Sequence, residues 1–303
     1  MRIASLWMLA SAATASAQTT QPTFEVGKGP IVAIDAAHNN THTHSSAEFR
    51  GFVDLLQRDG YRVQPFAKPL TSESLAGVDV FVTSGPGGWT GEGSLTESEV
   101  TSLIRWIRGG GSLLLILDHM PAPRHAARLT SALGITKWHD GYVQVDVPDS
   151  LPIGNIIFWR SEFFPAAEPS VGRTGPAGGA GYQGADARLA KHPITEGRNA
   201  DERVRRVVTF VGSAFEPPPG SNALLTMPQR AISFTPPETP GALAVFTPAT
   251  PRFPVGGWAQ GAVGTLGEGR IALFAETGLF SGGPAPDNRM FVLNVMRWLR
   301  RLL

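Results

Sequence analysis

Five consecutive large aliphatic residues, Leu113 to Leu117, follow the triple glycine Gly109 to Gly111 and stop at Asp118-His119. A run this apolar and this short has no polar face to turn to water. It reads as a strand covered on both sides, the environment of a parallel sheet between helical layers. Its polar residues are held back for its end. In open α/β sheets ligands sit outside the carboxyl ends of the strands, where chain order reverses, so Asp118 and His119 are site candidates.

The segments before this strand share one plan. Pro30 to Asp35 predicts a first core strand, followed by a polar loop from Ala36 to His44. Apolar Phe49, Phe52, Val53, Leu55 and Leu56 then recur at helical spacing between Ser46 and Asp59, with Ser45 or Ser46 as N-cap and Gly60 as stop. Tyr61 to Phe66 and Val78 to Thr83 predict two more strands, with a helical turn at Ser72 to Leu75 between them. The third strand ends in Ser84-Gly85-Pro86-Gly87-Gly88. Thr96 with Glu99 is a capping box, opening a helix whose apolar face is Val100, Leu103, Ile104, Trp106 and Ile107. Another helix is expected from about Arg124 to Leu133. Strands alternating with helices favour parallel pairing through right-handed crossovers. The expectation is an α/β fold built on a flavodoxin-like, doubly wound and mainly parallel sheet, as one domain over residues 30–303.

Between about 136 and 257 the alternation lapses, and this stretch reads as an insertion of β-rich loops laid over one edge of the core. Strands are expected at Tyr142–Val147, Asn155–Trp159, Arg203–Val211, Ala231–Phe234 and Ala242–Phe246, with a glycine-rich mobile loop at Gly172–Gly184. The core pattern returns at Gly269 to Ala275 and ends in Glu276. Asn288 to Leu302 predicts an amphipathic helix with Phe291, Val292, Val295, Met296, Leu299 and Leu302 on its apolar face. Arg297, Arg300 and Arg301 lie near its C-terminal end, where cations suit the macrodipole.

Composition excludes several functions. The chain has no cysteine, hence no thiol nucleophile and no disulfide. Charged residues make up 17% and the net charge is +1, so there is no electrostatic footprint for nucleic acid, and a small polar partner is expected. Arg2, the apolar stretch from Ile3 to about Ala13 and Ala15-Ser16-Ala17 read as a secretory signal cleaved after Ala17, with residues 18–29 as a linker. The expected location is secreted or periplasmic. That apolar run is short of the roughly 20 residues a membrane span needs, and no other stretch approaches it.

In a parallel sheet the ends of strands distant in sequence share one edge. Asp35 with His38, Ser84-Gly85, Asp118-His119 and Glu276 are expected to converge there. Asp118, His119 and Glu276 are the catalytic candidates; Asp35, His38, Asn39, Asn40, Ser84, Gly85 and Trp258 are the ligand-binding ones. Glu276, ending a wholly apolar strand, must be paired, solvated or protonated, and His38 is a natural partner. Asp118 and His119 form an acid/base pair, or Asp118 caps the helix near Pro121 while His119 packs beneath a loop. Three of the seven histidines, His38, His42 and His44, fall within one short loop. They could hold a divalent metal with a neighbouring carboxylate, or simply hydrogen-bond their own backbone. Trp89, Trp159 and Trp258 could floor a sugar site or belong to the core. Ser112 and Ser213 lack the Gly-x-Ser-x-Gly setting of a nucleophile, and Ser84-Gly85 lacks the spacing of a phosphate loop.

Val32 to Asn40, Gly111 to His119, His192 to Thr195, Ile271 to Glu276 and Asn294 to Leu299 together resemble bacterial proteins of the class I glutamine amidotransferase-like superfamily. The resemblance implies a flavodoxin-like sheet with its site at the strand ends. Active families of that superfamily carry a cysteine in the sharp turn after the strand that Leu113–Leu117 resembles; here Asp118 or His119 stands thereabouts. Glutaminase activity by that route is excluded. Three functional expectations follow: an exported, catalytically divergent domain binding a small polar ligand, sugar or peptide, at the strand ends; a metal-assisted hydrolase using His38, His42 and His44 with Asp118 or Glu276, and His119 as acid/base; or a structural module docking through its inserted loops.

Overall fold

The computed structural model describes residues 21–145, 160–165, 187–238, 244–281 and 286–303. The expected signal sequence, the Asn155–Trp159 strand and the Gly172–Gly184 loop lie outside the described residues. In chain order the elements are β1 (Ile31–Asp35), α1 (Arg50–Arg58), β2 (Arg62–Phe66), β3 (Val80–Ser84), α2 (Glu97–Arg108), β4 (Ser112–Ile116), α3 (Ala122–His125) and α4 (Ala127–Ala132). They continue with β5 (Trp138–His139), β6 (Tyr142–Gln144), β7 (Arg160–Pro165), β8 (Arg188–Leu189), α5 (Pro193–Glu196), β9 (Val207–Phe210), β10 (Ala214–Phe215) and β11 (Asn222–Thr226). The last are β12 (Ile232–Phe234), β13 (Arg252–Pro254), β14 (Ala259–Leu266), β15 (Gly269–Phe274) and α6 (Pro286–Leu299).

The expectation of a doubly wound, mainly parallel sheet is overturned. The main sheet has 12 strands and is mixed, in the order β2-β1-β3-β4-β15-β14-β11-β8-β7-β9, with β10 and β5 continuing from β14. Pairing is parallel throughout from β2 to β15, where Leu113 lies opposite Ile271 and Leu115 opposite Leu273. The direction then reverses at the β14–β15 hairpin, whose register runs from Gly261 opposite Phe274 to Leu266 opposite Gly269. β11 and β8 continue antiparallel, β7 is parallel to β8, and β9 is antiparallel to β7. Much of the stretch from 136 to 257 thus extends the sheet in its own plane instead of lying over its edge. β13, β12 and β6 form a separate three-stranded sheet.

The reason lies in β14. Its sequence, Ala-Gln-Gly-Ala-Val-Gly-Thr-Leu, contains no alternation of large apolar and polar residues, so periodicity does not reveal it. The small residues are there for the neighbours: a Cβ on Gly261 would stand 2.6 Å from the Phe274 ring on β15.

In the parallel half the pleat sorts one apolar run onto two faces. Leu114 and Ile116 join Val32, Ile34, Val80, Val82 and Phe274 in a core shared with Phe52, Val53 and Leu56 of α1 and with Phe291, Val295, Met296 and Leu299 of α6. Leu113, Leu115 and Leu117 face the other way, with Ala33, Phe81 and Leu273, onto Val100, Leu103 and Ile107 of α2 and Leu129 of α4. Leu113 to Leu117 are wholly buried, each contributing about 1.5–3 kcal/mol of apolar burial.

Local details differ from expectation in instructive places. The Thr96–Glu99 capping box forms at the start of α2. α1, by contrast, starts at Arg50 with no side-chain cap, because the Ser46 hydroxyl is taken by a turn with Thr43. The single helix expected from Arg124 to Leu133 is broken at Ala126 into α3 and α4. Residues 244–246 of the expected Ala242–Phe246 strand are not in a strand, and residues 242–243 lie outside the described ones. Arg297 is no surface cation at the end of α6. It is wholly buried, donating to Asp59 at 2.9 Å and to Thr23 at 2.8 Å, and it lies 3.3 Å from Glu202.

Candidate functional site

The polar residues at the strand ends form two groups. The first is centred on His38, which is 4% exposed. Its Nδ1 lies 2.8 and 3.0 Å from the two carboxylate oxygens of Asp35, at the end of β1, and its Nε2 lies 2.9 Å from Oε1 of Glu99 in the first turn of α2. Thr83 Oγ1 stands 2.9 Å from Asp35 Oδ2, and Glu99 also accepts from Thr96 and from the backbone N–H of Leu70. Burial alone would lower the pKa of His38, but the hydrogen bonds and charges of Asp35 and Glu99 outweigh it and raise the pKa to about 9. Glu99, opposed by its own burial, is brought down to about 2 by the Thr96 and His38 hydrogen bonds. His38 is therefore an imidazolium held between two carboxylates.

That geometry corrects the metal expectation. A ligating imidazole needs a free nitrogen lone pair, and both ring nitrogens of His38 are engaged. His42 stacks on Phe49 with ring centres 5.4 Å apart and has Nδ1 3.5 Å from Ser84 Oγ, while His44 is half-buried in the same loop. Among the described residues no group of three or more His, Asp or Glu side chains is arranged to hold a metal.

The second group gathers where β3, β4 and β15 end. Glu276 is 2% exposed and accepts backbone N–H groups from Gly278 and from Leu279, the latter at 2.8 Å. Burial and then the nearby charge of Asp118 push its carboxyl well above the usual carboxylate range, which the backbone donors only partly offset. Its partners are thus backbone amides, not His38. Asp118 also acts on His42, whose pKa is lowered first by burial, with His119 adding to the decrease and Asp118 opposing it. The Asp118 carboxylate accepts the backbone N–H of His119 at 2.8 Å, and its carbonyl accepts from Ser213 Oγ at 2.8 Å. It caps no helix: the residue before α3 is Pro121, which has no side-chain cap bond. His119 does not pair with Asp118 through its ring. Its Nδ1 lies 2.8 Å from the Met120 carbonyl, and the ring stacks on Tyr142 at 4.2 Å and meets Trp89 at 5.9 Å.

Between the two groups, Asn40 Oδ1 accepts the backbone N–H of Ser84 at 3.0 Å, and Gly85 donates to Ile116 O of β4 at 2.9 Å. Asn39, in the left-handed region at φ 46°, reaches across to the carbonyl of Glu92 at 3.1 Å. Trp258 packs edge-on against Phe253 and, partly buried, against the larger apolar core. Asp118, His119, Glu276, His42 and Ser84 are thus brought to one rim. Asp35 and His38 serve the α2 clamp, and Trp258 serves the core.

Several features escape sequence reasoning. Glu99 is legible only as a cap, since nothing in its spacing points to His38. Tyr142 reads as an ordinary strand residue, although its ring closes one side of His119. Val211 sits at φ 48°, where a β-branched side chain is strained, and the next residue, Gly212, is wedged against Ala275 and Glu276. Two shielded polar atoms, Asn40 Nδ2 and Thr277 Oγ1, have no hydrogen-bond partner within the described residues. Buried polar groups are ordinarily satisfied, so these two orphans are exceptions within the described residues.

The fold is mixed and mostly sheet, with parallel and antiparallel pairs in one 12-stranded sheet. Among solved structures it is similar to the mmIFT52 N-terminal domain, with a TM-score of 0.57 and 14% identity over 89% of this chain and 97% of that one. A putative thua-like protein from Bacteroides uniformis ATCC 8492 aligns over 91% of this chain and 94% of that one with a TM-score of 0.44 and 12% identity. At these identities the likeness to the first is one of fold alone. No family model matches the sequence. No curated protein matches it either. Among the described residues no helix is long and apolar enough to cross a membrane.

Proposed function

We propose that this protein is an exported, catalytically divergent relative of the class I glutamine amidotransferase-like proteins that binds a small polar ligand at the rim formed by His42, Ser84, Asp118, His119 and Glu276. The observation that carries this reading is the register that sets the ends of β3, β4 and β15 side by side, with Ser84 opposite Ile116, Ile116 opposite Phe274 and His42 Nδ1 3.5 Å from Ser84 Oγ, so that three separate segments of the chain supply the rim. Gathering ionisable groups in an environment that shifts their titration is characteristic of functional sites. The hydrolase reading is left with two imidazoles once His38 is committed to Asp35 and Glu99.

Isothermal titration against a panel of neutral saccharides, dipeptides and amino acids tests the reading. The wild-type protein is expected to bind at least one member, and Asp118→Asn to weaken that affinity at least tenfold while the unfolding midpoint stays close to that of the wild type. A loss of about 1.4 kcal/mol of binding free energy corresponds to that factor. Absence of binding across the panel, or binding indifferent to Asp118→Asn, would overturn it.

A further inference from the structure

Trp89 is 63% exposed, although an indole is among the side chains that gain most from burial. It is not on a loose end. The loop that carries it is tied down by Gly87 donating to His38 O at 2.8 Å, by His125 Nδ1 at 3.0 Å from Gly88 O and by Asn39 donating to Glu92 O at 3.1 Å. Gly88, immediately before it, has φ +53° and lies so close to Asn39 O that a Cβ would stand 2.7 Å away, so the approach is built for glycine. The indole is therefore presented, not merely left out.

Behind it runs a row of rings. His119 lies 5.9 Å from Trp89 and 4.2 Å from Tyr142, and Tyr142 meets Phe246 edge-on at 5.3 Å. His119 is fixed by its hydrogen bond to Met120 O, so it fills the space between Trp89 and Tyr142 and leaves no open cage for a cationic ammonium group. Beside the row stands Asp118, and among the described residues the rim group contains neither Lys nor Arg, so a ligand bearing carboxylate or phosphate would find no counter-charge in that group. What suits an exposed aromatic face next to hydrogen-bonding groups without a cation is a neutral, hydroxyl-rich ring with an apolar face of C–H groups.

We infer that Trp89 is the stacking platform of a saccharide subsite, with a sugar ring lying on the indole and its hydroxyls taken by Asp118 and His119. This assignment rests on the rim reading above and specifies the ligand class for it.

The test uses the full chain and named probes: glucose, galactose, mannose, N-acetylglucosamine, maltose and cellobiose, with alanyl-alanine and choline as contrasts. Tryptophan fluorescence and titration calorimetry are read on the wild type, Trp89→Ala, Trp89→Phe and Asp118→Asn. At least one saccharide is expected to bind and to perturb the indole emission. Trp89→Ala should reduce its affinity at least tenfold, whereas Trp89→Phe should keep most of it. Because the indole is mostly exposed, the unfolding midpoint of Trp89→Ala should match that of the wild type. Saccharide binding untouched by Trp89→Ala, or no saccharide binding, would overturn the platform. Binding of alanyl-alanine or choline alone would overturn it too, and if Asp118→Asn abolished that binding the rim reading would survive. Saccharide affinity that depends on Trp89 but not on Asp118 would do the reverse, keeping the platform and removing the rim from the site.

Discussion

Arg297→Met will lower the unfolding free energy by about 3–5 kcal/mol, the cost of removing one partner from a buried ion pair and leaving its counter-charges behind. Arg297 is wholly buried and joins four pieces of chain: α6 itself, Asp59 after α1, Glu202 after α5 and Thr23 near the start of the described residues. Methionine fills much of the same space, so the loss reports charge and not volume. Asp59 and Glu202, 4% and 3% exposed at their side chains, would lose the guanidinium that pairs them. Arg198, bound to Glu202, compensates only that side. Urea denaturation gives the number directly; a change below about 1 kcal/mol would mean that water reaches Asp59 and Glu202 when Arg297 is gone.

His38→Gln is the second large effect, and its signature is a dependence on pH. A pKa raised from 6.5 to about 9 in the folded state gives stability that is fully present below pH 6.5 and is lost as pH rises through about 9. The contribution of this linkage is about 3 kcal/mol. Wild type should therefore lose stability between pH 6.5 and 9 relative to His38→Gln, which cannot take up the proton. Glu99 acts in the opposite window: lowered to about 2, it contributes above pH 4.5 and fades as pH falls toward 2. Urea midpoints of both proteins measured from pH 6 to pH 10 check the alkaline limb. Parallel curves would show that His38 titrates as an ordinary surface imidazole.

Much of the parallel half was legible because one signal, an apolar run ending in polar residues, is written openly at β1, β3, β4 and β15. The same signal placed Asp118 and Glu276 at one rim. The antiparallel half was illegible for a definite reason: small residues interrupt β14, with Gly261 fitting against the Phe274 ring, so its strand character resides in the neighbour and not in its own pattern. The loop Ala36 to His44 shows the limit of motif reading. Three histidines close in sequence suggest a shared ion, yet His38 is clamped by Asp35 and Glu99 while His42 leans on Phe49 and Ser84. Arg297 deceived for the opposite reason, since a cation near a helix C-terminus has a sufficient local explanation and nothing local announces Asp59. Trp89 could be seen, but its exposure could not.

The central claim is that Asp118 and Glu276, far apart in sequence, share one electrostatic site. Infrared titration of the Glu276 carboxyl, identified by subtracting the Glu276→Gln spectrum, measures this directly in wild type and in Asp118→Asn. The account expects the Glu276 carboxyl to stay protonated well above the usual carboxylate range, and its titration to move down when the Asp118 charge is removed. A Glu276 that ionises in the usual range, or one indifferent to Asp118→Asn, would contradict it.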